Sequence, residues 1–165
     1  QRGAMGVSGQ VNLGSIYESE MIKSLGELTS QAFPIGMPVL GMVYPRGPNL
    51  IASEDDNTGG VAHAARLAWE LGCHVVKVPW TGSVESFRTV TKAVPIPVLI
   101  AGGPSGGSFT DLLQIVDDAI SAGGAGVCMG RQIFSSNEVA ARVEALRMIV
   151  HEGHPASQAA ELIEE

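Results

Sequence analysis

The residue in this chain with the clearest reach into chemistry is Lys77. It sits near the end of the run Cys73-His74-Val75-Val76-Lys77-Val78-Pro79-Trp80. Val75, Val76 and Val78 favour extended backbone, and helical sequence precedes them, so the run reads as a buried strand carrying one amine. The C-terminal edge of a parallel sheet is where such folds place their reactive groups. A lysine withdrawn from water there favours its neutral form, and a neutral amine attacks a carbonyl to form a Schiff base. The competing reading is a strand-end lysine whose stem is covered and whose head reaches solvent. Tyr44 follows Gly41-Met42-Val43, and a phenol near an amine can relay protons; otherwise it is an aromatic rim residue. Gly102-Gly103-Pro104 closes another apolar run, and its glycines would let backbone N–H groups approach an anion. No Lys-Ser/Thr pair follows, which sets it apart from a nucleotide-binding loop; a plain strand-to-helix turn is the alternative. Gly130-Arg131 closes the last apolar run. A guanidinium there can hold a phosphate bidentately or make a surface ion pair.

The elements that must position these groups alternate along the chain. Gly3 to Asn12 is a first strand. Ser15 is the expected N-cap of a helix faced by Met21, Ile22, Leu25 and Leu28, with Glu18 as its capping-box partner. Met37 to Val43 is a second strand, and Pro38 is tolerated at its start. A long polar loop from Pro48 to Gly60 leads to a helix over Val61 to Leu71, stopped by Gly72. The Lys77 strand follows, then a helix capped by Ser83. Ile96 to Ala101 is the fourth strand, before a helix from Thr110 to Ser121. Ala125 to Met129 is the fifth, before a helix from Glu138 to His151 and a short one near Ala156. Alternation without hairpin signals predicts an α/β fold with a parallel sheet and right-handed crossovers. The choices are a doubly wound sheet or a (β/α)8 barrel. Five strand–helix units are too few to close a barrel, which takes about 250 residues. Three earlier strands are therefore expected outside this chain. In barrels the loops after the last two strands frequently form a phosphate site, the place that Gly102-Gly103 and Gly130-Arg131 would then share.

Composition narrows the function. Hydrophobic residues make up 45% and charged residues 16%, which suits a globular domain with a real core. The net charge of −7 argues against nonspecific nucleic-acid binding. No apolar run reaches membrane-spanning length and no signal peptide is visible, so a cytoplasmic location is expected. Cys73 and Cys128 each sit in an apolar run and read as buried thiols. His63, His74, His151 and His154 lack metal-ligand spacing, and Asp55-Asp56 in the long loop read as solvated, so no metal is expected.

The combination Met42-Val43-Tyr44-Pro45-Arg46-Gly47, Val61-Ala62-His63-Ala64-Ala65-Arg66-Leu67 and Val75-Val76-Lys77 resembles the archaeal-type class I fructose-bisphosphate aldolases. These are the DhnA family of the DeoC/LacD superfamily. Ala101-Gly102-Gly103-Pro104 and Met129-Gly130-Arg131-Gln132-Ile133-Phe134 are similar to that family's two phosphate-loop motifs, in the same order. The resemblance implies a TIM barrel of which this chain, residues 1–165, supplies about strands four to eight. It implies Lys77 as the Schiff-base lysine and Tyr44 as the proton-transfer residue. Gly102, Gly103, Gly130 and Arg131 would bind the substrate phosphate. It further implies a sugar-phosphate substrate, no cofactor, an acidic residue from a preceding strand, and a homo-oligomer at full length. Relatives include 2-amino-3,7-dideoxy-D-threo-hept-6-ulosonate synthase and a thiolase acting on a phosphorylated dione, and a non-catalytic phosphate-binding barrel fragment is a further alternative. Departures from the family's usual residues fall at Gln10 (His), Pro79-Trp80 (aromatic), Ser105 (Lys) and Gln132 (Asn).

Overall fold

Valines and other apolar residues recur at every second position of five short segments, and glycines interrupt the chain between those segments and longer runs of helical period. The computed structural model describes residues 3–50, 57–102 and 107–163. Strand β1 (Val7–Leu13) leads to α1 (Glu18–Ala32), and β2 (Val39–Pro45) to α2 (Thr58–Glu70). Strand β3 (Val75–Val78) precedes α3 (Val84–Lys92), and β4 (Val98–Ala101) precedes α4 (Phe109–Ser121). Strand β5 (Gly126–Cys128) is followed by α5 (Arg131–Phe134), α6 (Val139–Glu152) and α7 (Ala156–Ala160).

All five strands pair in parallel, in the order β1-β2-β3-β4-β5. A doubly wound sheet reverses its strand order at a switch point. Here each crossover moves on to the next strand, and right-handed crossovers running one way leave their helices on one face. The pleat records this. Val11, Leu13, Val39, Val43, Val76, Val78, Val98 and Ile100 are all buried on the helix side. Gly9 and Gly41 permit close approach there: a Cβ on Gly9 would lie 2.8 Å from Leu25 Cδ1, and one on Gly41 2.9 Å from Cys73 Sγ. The opposite face carries Ser8, Gln10, Met42, Lys77, Leu99 and Ala101, all exposed or half-buried. This arrangement is consistent with part of a barrel wall, with a helical layer on one face and polar and apolar residues mixed on the other.

The strands form where the sequence predicts them, each within four residues of the expected start. Two local expectations differ. No capping box forms at Ser15: α1 begins at Glu18, after Tyr17. Gly14, at φ +77°, turns the chain, and the Ser15 N–H donates to the Asn12 carbonyl. The Glu18 carboxylate accepts from the Gly14 N–H and so satisfies the turn instead of the Ser15 backbone. After α1, a 3-10 turn over Phe33–Ile35 extends the helix before Gly36 ends it at φ +63°. Ser83 does cap α3: its hydroxyl accepts from the Ser86 N–H at 3.1 Å, and Ser86 Oγ accepts from the Ser83 N–H at 3.2 Å. Ser108 and Asp111 make the same reciprocal pair at the start of α4.

Candidate active site

The register places Lys77 in the middle of the inner face. Gln10, Met42, Lys77, Leu99 and Gly126 form one row across the five strands. Asn12, Tyr44, Ala101 and Cys128 belong to the next row toward the C-terminal edge. Met42 is the register partner of Lys77, and Tyr44 lies two residues farther along the same face of β2. Strand spacing and rise then put the Lys77 and Tyr44 Cα atoms about 8 Å apart, a separation that a lysine and a tyrosine side chain together span. Both are half-buried.

A cleft of about 1020 Å³ opens at this edge, and Tyr44, Lys77, Gly102, Gly130 and Arg131 all line it. The structure thus gathers five of the six residues singled out from sequence. The sixth, Gly103, lies outside the described residues, as do Ser105 and the acidic pair Asp55-Asp56. Of the chain's three lysines only Lys77 lines the cleft. Lys23 and Lys92 are exposed on α1 and α3. Trp80 forms part of the wall beside Lys77, its ring 5.1 Å from that of buried Phe87.

The end of β4 meets the residues after β5. A Cβ on Gly102 would stand 2.8 Å from Met129 Cβ, so only glycine lets the end of β4 lie this close to the residues after β5. Gln132 Nε2 donates to the Gly102 carbonyl at 3.0 Å. Arg142 Nη1, from α6, donates to the Gln132 carbonyl at 2.6 Å.

Arg46 lines the cleft on the β2 side, its guanidinium carbon 5.4 Å from the centre of the Tyr44 ring. It lay inside the quoted motif but without a role, because sequence spacing alone does not say that a residue two past Tyr44 turns back over its ring. The cleft therefore carries two guanidiniums, Arg46 and Arg131, beside Lys77, none of the three in an ion pair among the described residues. Asp111, the acid beside them, already accepts from the Ser108 N–H. In a chain of net charge −7, that concentration of positive groups makes the cleft a local attractor for anions.

The thiols differ. Cys73 is buried behind β2, and its burial pushes the thiol up to about 11. Cys128 is half-buried and lines the cleft, which corrects the expectation of two buried thiols: as the register partner of Ala101 it faces inward. His63 is exposed on α2, and His74 Nδ1 accepts from the Val39 N–H at 3.2 Å. Among the described residues no three of His, Cys, Asp and Glu converge as a metal site would require.

A model of DeoC/LacD family aldolases matches residues 1–136 of this chain. The chain is 44% identical over 149 residues to 2-amino-3,7-dideoxy-D-threo-hept-6-ulosonate synthase 1 of Archaeoglobus fulgidus, covering 90% of this chain and 54% of that protein. It is 38% identical over 149 residues to 2-amino-4,5-dihydroxy-6-oxo-7-(phosphonooxy)heptanoate synthase of Streptomyces griseus, again covering 90% of this chain and 54% of that protein. Among solved structures it is similar to an archaeal fructose-1,6-bisphosphate aldolase whose catalytic lysine is covalently bound to the carbinolamine intermediate of the substrate. There the TM-score is 0.82 at 30% identity, covering 90% of this chain and 59% of that one. The chain spans about half the length of the curated relatives it matches.

Proposed function

The chain belongs to the DeoC/LacD family of aldolases, and on that footing we propose that the cleft around Lys77 makes or breaks a carbon–carbon bond in a phosphorylated ketose such as fructose 1,6-bisphosphate. The observation that carries this is the position of Lys77: a lone lysine on the inner face, between Tyr44 on β2 and the glycine loops after β4 and β5. In this reading residues 1–165 are the part of a single (β/α)8 barrel domain running from about strand four to strand eight.

The neutral Lys77 amine adds to the substrate ketone to give a carbinolamine, and loss of water leaves an iminium. The iminium draws electrons from the bond between the carbon next to it and the carbinol carbon one farther on. That bond breaks, the hydroxyl of that carbinol passes its proton to a water ordered by Tyr44, and an aldehyde departs. The electrons remain as an enamine on Lys77. Tyr44, or a water it orders, returns a proton to the enamine carbon. Hydrolysis of the resulting iminium frees the ketone and restores the amine. The iminium serves as the electron sink. Gly102, Gly103, Gly130 and Arg131 hold the phosphate of the ketone half, with backbone N–H groups and a guanidinium suited to that anion. Arg46, on the other side of Lys77, faces the aldehyde half.

The higher identities to the two synthases favour a second reading of the aldehyde half. The Streptomyces griseus protein's name describes a seven-carbon amino acid with a ketone at carbon 6, a phosphate ester at carbon 7 and hydroxyls at carbons 4 and 5. A retro-aldol break beside that ketone yields dihydroxyacetone phosphate and an aldehyde bearing an amino acid. Fructose 1,6-bisphosphate yields the same ketone phosphate and a phosphorylated aldehyde. The two readings share the Lys77 chemistry and differ in the acceptor alone.

Dihydroxyacetone phosphate is therefore the first probe. The protein at the length of its relatives is mixed with it, reduced with borohydride, digested and mapped by mass spectrometry. A three-carbon phosphate adduct on the Lys77 peptide is expected. No adduct at Lys77 would sink the proposal. Offering the enamine glyceraldehyde 3-phosphate or an amino-acid aldehyde then decides between the readings by which condensation product accumulates.

A further inference from the structure

Beside Gln132, and outside the described lining of the cleft, stands a cation that the proposed reaction does not use. Arg142 on α6 is half-buried and has no carboxylate partner among the described residues. Its Nη1 donates to the Gln132 carbonyl at 2.6 Å. Its guanidinium carbon lies 4.5 Å from the centre of the ring of Phe109, the first residue of α4. Its Nε is buried and without a hydrogen-bond partner. A buried guanidinium is ordinarily matched by an acid, because the desolvation cost of the charge is otherwise uncompensated. Here one face is covered by an aromatic ring and one edge by a carbonyl, and no acid among the described residues pairs with the charge.

That charge sits where three elements join. Through the Gln132 carbonyl it touches α5. Through Phe109 it touches the start of α4, directly after the cap Ser108. Through the Gln132 side chain, which bonds the Gly102 carbonyl at 3.0 Å, it reaches the end of β4. The end of β4 at Gly102 and the turn after β5 are thus joined by a chain running from Arg142 to Gln132 to Gly102.

We propose that Arg142 and Gln132 are positioning residues of the phosphate subsite. Gln132 sets the spacing of the Gly102 and Gly130-Arg131 backbones, and Arg142 locks Gln132 while adding a positive charge beside it. The inference rests on the assignment of these loops to the substrate phosphate. It predicts that the pair governs selectivity for phosphorylated over unphosphorylated ketone, beyond any general contribution to folding.

The test compares borohydride trapping rates at Lys77 with dihydroxyacetone phosphate and with dihydroxyacetone, in the protein at the length of its relatives. The ratio of the two rates measures how much the phosphate contributes. Arg142→Met, which keeps a stem of similar bulk, and Gln132→Leu are each expected to lower that ratio about tenfold or more, the scale of a charge-assisted hydrogen bond. Arg142→Lys, retaining the charge, is expected to recover part of the loss. The dissociation constant for inorganic phosphate should rise in parallel. A ratio and a phosphate affinity both within twofold of the parent in Arg142→Met and Gln132→Leu would overturn the proposal, as would an equal loss of trapping with both ketones. Should Arg142→Met fail to fold, Gln132→Leu carries the same comparison. If the parent protein shows no trapping at all, the aldol reading has failed and phosphate affinity alone decides this one.

Discussion

At the scale of single residues, two side chains divide the proposed chemistry in ways that substitution separates. Lys77→Ala removes the only amine among the described residues of the cleft and should abolish turnover while leaving cooperative melting in place, because Lys77 lies on the half-open inner face and outside the buried core. Steady-state rates and a thermal melt read the two quantities side by side. Tyr44→Phe keeps the ring under Arg46 but removes the proton relay. Its expected effect is a fall in kcat of about 10²- to 10⁴-fold, the usual range for general acid–base catalysis, with borohydride trapping at Lys77 preserved. Cys73 supplies a pH signature unrelated to activity. The folded protein holds this thiol's proton up to about pH 11, above the ordinary value of 9.0. The unfolded chain releases its proton first as pH rises. Stability is therefore intact below about pH 9 and declines toward about pH 11, with a slope of at most about 1.4 kcal/mol per pH unit. Denaturant titrations across that window should show a shallower decline in Cys73→Ala than in the parent.

At the scale of elements, the caps and glycines decide where helices start and how closely they lie on the sheet. Ser83 closes α3 with a reciprocal pair to Ser86, and Ser83→Ala should cost about 1 kcal/mol, measurable as a shift in denaturation midpoint with unchanged slope. This cap was legible in the sequence because Ser83 follows a glycine and precedes a run of helical period. The cap assigned to Ser15 was misread for an equally physical reason: the motif spacing was right, but Gly14 at φ +77° inserts a turn that captures Glu18. Strand identity was readable in β2, β3 and β4, since Val39, Val43, Val76, Val78, Val98 and Ile100 put a β-branched residue at alternate positions, all on the buried side. The four-residue α5 was invisible, being too short to show a period. The same limit hid the Gln132–Arg142 contact. Arg142 occupies a helix whose charged residues look like an ordinary solvated face, as Arg147 between Glu144 and Glu152 is in fact. That Lys77, Tyr44, Gly102, Gly130 and Arg131 would share one edge of the sheet was legible in the sequence because each falls at the end of an apolar run. Arg46 and Cys128 gain their positions from the pleat and the register.

At the scale of the whole molecule, the sheet has two outer edges, on β1 and β5, that pair with no other strand among the described residues. Unpaired edges invite pairing with another copy. A preparation consisting of these 165 residues by itself is expected to associate, and sedimentation velocity should resolve species heavier than 17.1 kDa. A monodisperse monomer that melts cooperatively would contradict this expectation. The order of the strands has a second consequence, for the way the molecule is made. Val7 pairs with Val39, Leu40 with Val75, Val76 with Val98 and Leu99 with Gly126, so each strand meets its neighbour across one intervening helix. Loop closure over such distances is modest in entropy and rapid. Each pairing needs only the segment most recently synthesised, and the wall can grow one strand at a time as the chain leaves the ribosome. Lys77 can take its place beside β2 before the Gly130-Arg131 turn has left the ribosome.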